Sequence, residues 1–231
     1  MVHSADRATN RATVLHAPLF PGLDGLVEPP QIWSDRSDEK INPGQYLFLR
    51  EDPADRVFYI RCGLIEILSP LGGNEPISVD FRNSGSLIGE PVGTANPRHR
   101  FSARAAIRTV VRNMATETYH DRLASNPDLM IDALREATDT VNRIATAAAE
   151  VTLSPATRRL ATYLLSLAAR TPKTGPVRLP VTKSLLARHL GITAPALSRC
   201  LKRLRELGVA VRGNTVQIDD PIGLQTYCEA L

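Results

Sequence analysis

The clearest apolar period in the chain lies in residues 181–213 and predicts two short helices joined by a tight turn. The first helix has an expected N-cap at Thr182. Its apolar side consists of three leucines: Leu185, Leu186 and Leu190. Gly191 stands where the chain must turn sharply, a position that glycine fills without steric cost. The pattern therefore predicts a helix-turn-helix unit.

The second helix is predicted over 193–207, with a proline in its first turn, where a missing N–H costs nothing. Its apolar face, at 3.6-residue spacing, consists of Leu197, Cys200, Leu201 and Leu204. The opposite face consists of Pro195, Ser198, Arg199 and Lys202. A helix held by one side and exposing Ser and Arg on the other can enter a DNA major groove. The alternative is a helical hairpin in any α-rich domain, with Arg199 and Lys202 on a solvated face.

Residues 209–218 read as two strands around Gly213-Asn214, a pair typical of tight hairpins. A hairpin after a helix-turn-helix predicts a winged helix, whose wing would bring Arg212 near a phosphate. Positive charge is concentrated here, because residues 183–212 hold seven basic residues against one acid, Glu206. The seven are Lys183, Arg188, Arg199, Lys202, Arg203, Arg205 and Arg212. With a net charge of +4 for the whole chain, this distribution favours a polyanionic partner.

Short apolar stretches alternate with turn signals from Ile41 to about Thr118. The strand candidates are residues 46–49, 57–60, 64–68 and 77–81. The turn signals are Pro43-Gly44, Asp52-Pro53, Gly63 and Gly72-Gly73. Many short strands separated by turns predict a small β barrel or sandwich.

A long helix is predicted over 126–153, because apolar positions there alternate steps of four and three. The seam consists of Met130, Leu134, Ala137, Val141, Ile144, Ala148 and Val151. DNA readers of this kind usually need two half-sites, so we favour a parallel helix pair in a homodimer. The alternative is a helix lying on its own domain. Ser154-Pro155 then ends the pattern and introduces a further helix over 156–169.

Several classes of protein are disfavoured by what the sequence lacks. No apolar run approaches the ~20 residues that span a bilayer, and the N-terminus has no apolar core of a secretion signal. We therefore expect a cytoplasmic protein without a membrane partner. Three distant cysteines do not indicate a disulfide framework. Neither a metal-ligand spacing nor a nucleophile–base pair is present, so we expect no metal site, no catalytic residues and no enzyme.

The order of β barrel, long helix and winged helix resembles the cyclic-AMP receptor protein/FNR family of bacterial regulators. The matching pieces are Gly44–Phe48, Tyr59-Ile60 with Gly63, Gly85–Glu90, Asn126-Pro127-Asp128 and the ITAPALSR start of the second helix. The resemblance implies an α+β fold: a cyclic-nucleotide-binding-like barrel over 15–125, a dimerisation helix over 126–153 and a winged helix-turn-helix over 154–231. It implies a homodimeric transcription regulator that binds palindromic double-stranded promoter DNA and works with RNA polymerase.

The resemblance also implies roles for individual residues of the DNA-binding region. The base-reading positions are Pro195, Ser198 and Arg199, of which Arg199 matches the arginine that reads guanine. The expected phosphate contacts are Lys183, Thr193, Lys202 and Arg212. A proline replaces the usual glutamate at position 195, so the half-site should differ from the family's usual one.

The effector region resembles the family less closely. Gly89 and Glu90 match the family's Gly-Glu, and Arg100 matches the arginine that pairs with the cyclic phosphate. Phe101 stands where Ser or Thr is usual, and the adenine-reading pair falls on Ile144 and Ala145. Burying adenine's polar edge without partners costs about 1–3 kcal/mol per group, which makes cyclic AMP a doubtful effector.

A second alignment, which we prefer, pairs Phe101-Ser102-Ala103 with the V-S-A strand of FNR-like members and leaves Arg100 in a loop. Haem stays open as a cofactor, with His99, His120 and Cys62 as axial candidates, although a loop histidine is more often solvated. An iron–sulfur cluster is not supported, because the N-terminal cysteine run of FNR is absent. The alternative function is a haem- or cyclic-nucleotide-binding sensor that acts through a protein partner.

Overall fold

The computed structural model describes residues 26–70, 76–89, 98–169 and 177–229. In this part of the chain, eight N-terminal strands form what we call the β unit. They are β1 (Glu39–Ile41), β2 (Tyr46–Phe48), β3 (Arg56–Cys62), β4 (Leu64–Ser69), β5 (Ile77–Asn83), β6 (Leu87–Ile88), β7 (Ser102–Ala105) and β8 (Thr109–Ala115). They pair antiparallel into two four-stranded sheets, ordered β1-β8-β3-β6 and β2-β7-β4-β5.

Apolar side chains from both sheets form the core of the β unit, among them Ile60, Ile65 and Val111, which are fully buried. Gly63 makes the sharp turn between β3 and β4 with a φ of 108°. A Cβ at this position would lie 2.6 Å from the Cα of Thr109, so the turn requires glycine. The predicted strand-turn-strand pattern is confirmed here.

Two helices follow the β unit: α1 (Thr116–Ala124) and α2 (Pro127–Leu153). Helix α1 lies over an aromatic cluster in which the Trp33 ring is 5.8 Å from that of Tyr59 and 5.9 Å from that of Tyr119. Helix α2 is about 40 Å long at 1.5 Å per residue. The side of α2 that turns toward the β unit carries four partly buried residues: Leu129, Ala133, Glu136 and Thr140.

The remaining elements form what we call the C-terminal unit. They are α3 (Ala156–Ala168), β9 (Val177–Arg178), α4 (Lys183–His189), α5 (Ala194–Arg205), β10 (Val209–Arg212), β11 (Thr215–Ile218) and α6 (Pro221–Glu229). The strands make a small sheet in the order β10-β11-β9. Its core joins α3, α4, α5 and α6 through Leu164, Leu186, Leu204 and Leu224, each at most 1 % exposed.

The α+β fold class is confirmed, with three differences in detail. The strands of the β unit end at Ala115, before the predicted limit near Thr118, because helix α1 begins at Thr116. The second helix of the helix-turn-helix spans 194–205 rather than 193–207, since Thr193 caps its N-terminus and Glu206 caps its C-terminus. The elements that were not predicted are strands β1, β6, β8 and β9 and helices α1 and α6.

The length and polarity of the helices decide whether any of them could cross a membrane. Within the described ranges, every helix is too short or too polar to cross a bilayer.

Candidate nucleic-acid interface

The helix-turn-helix is built by local capping interactions. The Thr182 hydroxyl accepts a hydrogen bond from the backbone N–H of Leu185 at 3.3 Å and starts α4. Gly191 has a φ of 64° and lets the chain reverse after α4. The Thr193 hydroxyl then accepts from the backbone N–H of Ala196 at 3.4 Å and starts α5. The predicted cap at Thr182 and the turn glycine are confirmed, whereas Thr193, predicted as the start of the second helix, is its N-cap.

Helix α5 presents two different faces. Its inner face is buried and consists of Leu197, Cys200 and Leu204. The three residues predicted to read bases, Pro195, Ser198 and Arg199, are all exposed on its outer side. The Ser198 hydroxyl donates to the Ala194 carbonyl at 3.2 Å, a bond that it can exchange for a base or phosphate partner. The structure therefore brings the predicted base-reading residues together on one solvent-facing surface.

The residues predicted to contact phosphates are also accessible to a partner. Lys183, Thr193, Lys202 and Arg212 are all exposed. Arg212 ends β10 and lies next to Gly213, whose φ of 60° makes the hairpin turn. The wing is tied to the rest of the unit at Leu179, which exchanges two hydrogen bonds with Asn214. Positive charge is thus exposed at the start of α4, on the outer face of α5 and on the wing, and the polar Thr193 stands at the N-terminus of α5.

Arg159 of α3 braces the turn between the two helices, and sequence reasoning did not identify it. One guanidinium nitrogen donates to the carbonyl of Leu190 at 2.8 Å, and the other terminal nitrogen donates to the carbonyl of Ser154. Leu190 is the C-cap of α4, so Arg159 satisfies a carbonyl that the helix itself leaves without a partner. An arginine in the first turn of a helix before a helix-turn-helix is the only sequence signal for this role.

The charge pattern of the sequence groups Arg188 with the basic residues predicted to face DNA, but in the structure its side chain is paired elsewhere. Its Nε donates to Glu66 Oε1 of β4 at 2.7 Å, so its charge is paired with the β unit. The sequence grouped Arg188 with its neighbours because Glu66 is 122 residues away along the chain. Glu66 is fully buried and was not predicted to have a role.

The predicted effector residues lie in different parts of the β unit and of α2, and one of them is not among the described residues. Gly89 has a φ of 122°, and a Cβ there would lie 2.8 Å from the carbonyl oxygen of Arg56, so close packing requires this glycine. Glu90 lies outside the described residues. Arg100 is exposed in a bend, and Phe101, 41 % exposed, immediately precedes β7. Ser102 and Ala103 begin β7, where the preferred alignment places a strand.

The polar contacts between the β unit and α2 involve other residues. Arg82 donates to the Thr140 hydroxyl at 3.1 Å, and the Leu87 N–H donates to Glu136 Oε1 at 2.6 Å. Burial raises the pKa of Glu136, and the Leu87 N–H opposes that shift. Ile144 is 50 % exposed and Ala145 is exposed as well. The contact surface of α2 thus lies on the turns that precede the two predicted adenine-facing positions.

The haem candidates differ in their surroundings. His99 is only 2 % exposed and its ring stacks on that of Phe48 at 3.5 Å between centroids. The expectation that this loop histidine is solvated is therefore wrong, and the stacking on Phe48 is the physical reason. His120 is exposed and Cys62 is partly buried. Among the residues that the structure describes, none of the His, Cys, Asp and Glu side chains form a group of three suited to a metal ion.

The predicted seam of α2 forms an exposed apolar stripe beside the face that contacts the β unit. Met130, Leu134, Val141 and Ile144 are 45 %, 67 %, 64 % and 50 % exposed. Ala137 and Ala148 are exposed too, whereas the Val151 side chain lies outside the described part. Ile131, which was not assigned to the seam, extends the stripe and is 49 % exposed. Large apolar side chains in such a row are typical of an association surface.

Two family models match the chain. A model described as a cyclic nucleotide-binding domain matches residues 38–126. A model described as a Crp-like helix-turn-helix domain matches residues 158–227. The first covers the strands of the β unit with α1, and the second covers the C-terminal unit from α3 to α6.

Relatives and solved structures agree with these matches. An anaerobic regulatory protein of Pasteurella multocida is 25 % identical over 207 residues, which are 87 % of this chain and 72 % of that protein. The nitrogen fixation regulation protein FixK of Rhizobium meliloti is 24 % identical over 188 residues, 80 % of this chain and 84 % of the relative. The structure of FixK2 from Bradyrhizobium japonicum superposes with a TM-score of 0.69 at 19 % identity, covering 83 % of this chain and 96 % of that one, and supports the fold.

Proposed function

The chain belongs to the Crp/Fnr family of DNA-binding transcription regulators, and from that premise we propose that it binds a palindromic promoter site as a homodimer. The family consists of transcription regulators and not of enzymes. In our proposal, residues 15–125 sense a signal, 126–153 dimerise and 154–231 bind DNA. RNA polymerase is the proposed partner at the promoter, and the cytoplasm is the proposed location because the DNA target lies there.

The outer face of α5 is the observation that carries the DNA-reading part of the proposal. Arg199 is exposed there beside Ser198, while the inner face is anchored by fully or nearly fully buried side chains. A fixed helix with an exposed arginine can form a bidentate pair with guanine O6 and N7 in the major groove. Pro195 offers neither a donor nor an acceptor side chain, so it contributes shape and apolar contact only.

The remaining basic residues have a different proposed role. Lys183, Lys202 and Arg212 would contact phosphates, which set the position of the protein on the duplex without reading its sequence. The Thr193 oxygen caps α5 as an acceptor, and in our proposal its hydroxyl proton is donated to a phosphate. These contacts predict binding that weakens steeply as the salt concentration rises. Binding without salt dependence would instead favour a sensor that acts through a protein partner.

The experiment compares Arg199→Ala with the wild type on a duplex selected from a random pool and on a random duplex. We expect affinity for the selected duplex to fall by about tenfold to a hundredfold for each half-site, the range of one bidentate arginine–guanine pair, and so by roughly a hundredfold to ten-thousandfold when both protomers are bound. Affinity for the random duplex should fall much less. The control is Arg56→Ala, which removes an exposed arginine of the β unit. Equal losses on the two duplexes would contradict the base-reading role.

A further inference from the structure

Glu66 is a fully buried carboxylate in β4 that is held by groups from both units of the chain. Two donors come from its own sheet: the Ser78 hydroxyl donates to Oε1, and Arg104 Nη2 donates to Oε2 at 2.8 Å. The third donor is Arg188 Nε of α4, at 2.7 Å from Oε1. The first helix of the helix-turn-helix is therefore bonded directly to the central strands of a β-unit sheet.

Apolar contacts surround this ion pair. Leu64, two residues before Glu66 on the same strand, is 0 % exposed and belongs to the core of the C-terminal unit. Phe81 of β5 packs against that core, and its ring is 5.3 Å from the ring of His189 in an edge-on arrangement. The outer face of β4 and β5 is therefore a packed docking surface for α4.

The charge balance at this surface favours the docked arrangement. Burial raises the pKa of Glu66, whereas the bonds from Ser78 and Arg104 and the charge of Arg188 lower it, with a net shift below its usual value. The carboxylate is thus ionised and needs all of its partners, because a buried charge that loses one is strongly destabilised. Moving α4 away from β4 removes Arg188 and opens an apolar surface to water at the same time.

The docked arrangement leaves the DNA-reading surface free. Ser198 and Arg199 are exposed while Arg188 is paired with Glu66. The contact therefore does not act by covering that surface or the predicted phosphate contacts Lys183, Lys202 and Arg212, which are also exposed. A fixed orientation instead reduces the ordering cost of binding two half-sites at a set spacing.

We propose that the Glu66–Arg188 ion pair is a positioning latch that holds the helix-turn-helix on the β unit of the same chain in the orientation that reads DNA. The inference rests on the proposed function. Glu66 lies on a strand whose neighbouring side chain, Ile65, is in the core of the β unit. A signal that shifts β4 therefore reaches α4 through the Glu66–Arg188 bond and through Leu64, which packs in the core of the C-terminal unit.

Two single variants separate the latch from a simple charge effect on DNA binding. Glu66→Gln removes a negative charge, which by electrostatics alone should strengthen DNA binding, and Arg188→Gln removes a positive charge, which should weaken it. The latch predicts that both variants weaken binding to the selected duplex, by about fivefold or more. The double variant should be no weaker than the weaker single variant, and Arg188→Lys should recover part of the loss. Arg56→Gln is the matched control for an exposed arginine of the β unit.

Hydrogen exchange of the DNA-free protein supplies a readout independent of DNA. Both single variants should accelerate amide exchange in α4 and β5, with circular dichroism unchanged. Glu66→Gln that binds DNA more tightly, or exchange that stays at the wild-type rate in Arg188→Gln, overturns the latch. If Glu66→Gln does not fold, Arg188→Gln and Arg188→Lys still decide the question. If the wild type binds no duplex, the proposed function fails while exchange still tests the latch.

Discussion

The exposed apolar stripe on α2 leads to a quantitative prediction about dimerisation. Leu134 lies at its centre and is 67 % exposed in the single chain. Burying a whole leucine side chain contributes about 1.5–3 kcal/mol, so the exposed two-thirds of Leu134 contribute about 1–2 kcal/mol per copy. In a two-fold dimer the contribution is doubled, to about 2–4 kcal/mol.

The substitution Leu134→Asp removes this contribution and adds the cost of desolvating two like charges near the two-fold axis. The apolar loss alone should raise the dimer dissociation constant by ~30-fold to ~1000-fold, because each 1.4 kcal/mol corresponds to a factor of ten. The fold of the single chain should survive, since residue 134 lies on the exposed side of its own helix.

Sedimentation equilibrium over a range of protein concentrations measures the dissociation constant directly. The matched control is Ile222→Asp, because Ile222 is an exposed apolar residue, 80 % accessible, on α6 rather than on the seam. Leu134→Asp should also lose affinity for a duplex with two half-sites while keeping its weaker affinity for one half-site. An unchanged dissociation constant in Leu134→Asp, or an equal shift in the two variants, would refute the parallel helix pair.

Two further predictions concern the effector region and the pH dependence of stability. Titration calorimetry with cyclic AMP should show no binding at micromolar concentrations, because Ile144 and Ala145 offer adenine no side-chain partner; micromolar heat that Arg100→Ala abolishes would contradict this. The pKa of Glu66 is lowered in the folded protein, so its stabilising contribution is present above its ordinary value of 4.5 and is lost as the pH falls below it. The free energy of unfolding, from urea titrations at pH 6 and pH 3.5, should therefore fall more in the wild type than in Glu66→Gln, and equal falls would argue against the paired carboxylate.

The helix-turn-helix could be predicted from sequence because its determinants are local. Thr182, Gly191 and Thr193 each act on backbone groups within three or four residues, as a cap or as a turn. The apolar face of α5 follows from spacing alone. The β unit was predicted in outline, since β3, β4 and β5 carry apolar runs. Strand β8 was not predicted although it has seven residues, and β1 and β6 have only three and two residues and leave no pattern.

The contacts of α2 illustrate where local patterns stop being sufficient. The apolar residues of α2 recur at alternating intervals of four and three, and this spacing revealed the outward stripe of large apolar side chains. The neighbouring stripe, which contacts the β unit, contains Glu136 and Thr140 and so does not look apolar. Those two residues are satisfied by Leu87 and Arg82, which are 49 and 58 residues away in the chain. Polar residues that find partners across a fold cannot be told from solvated ones by period alone.

Glu66 could have been noticed, because it is the one acid in the apolar run Leu64–Leu68. A carboxylate in such a strand must be paired if the strand is buried, and the candidate partners are the arginines. The sequence holds too many arginines to select Arg188 over the others, and the local excess of positive charge around Arg188 pointed to DNA instead. In the structure Arg188, one of the seven basic residues of that region, forms its ion pair with Glu66 of the β unit and is not part of the candidate nucleic-acid surface. The residue that ties the two units together was thus concealed within the charge pattern that identified the DNA-binding region.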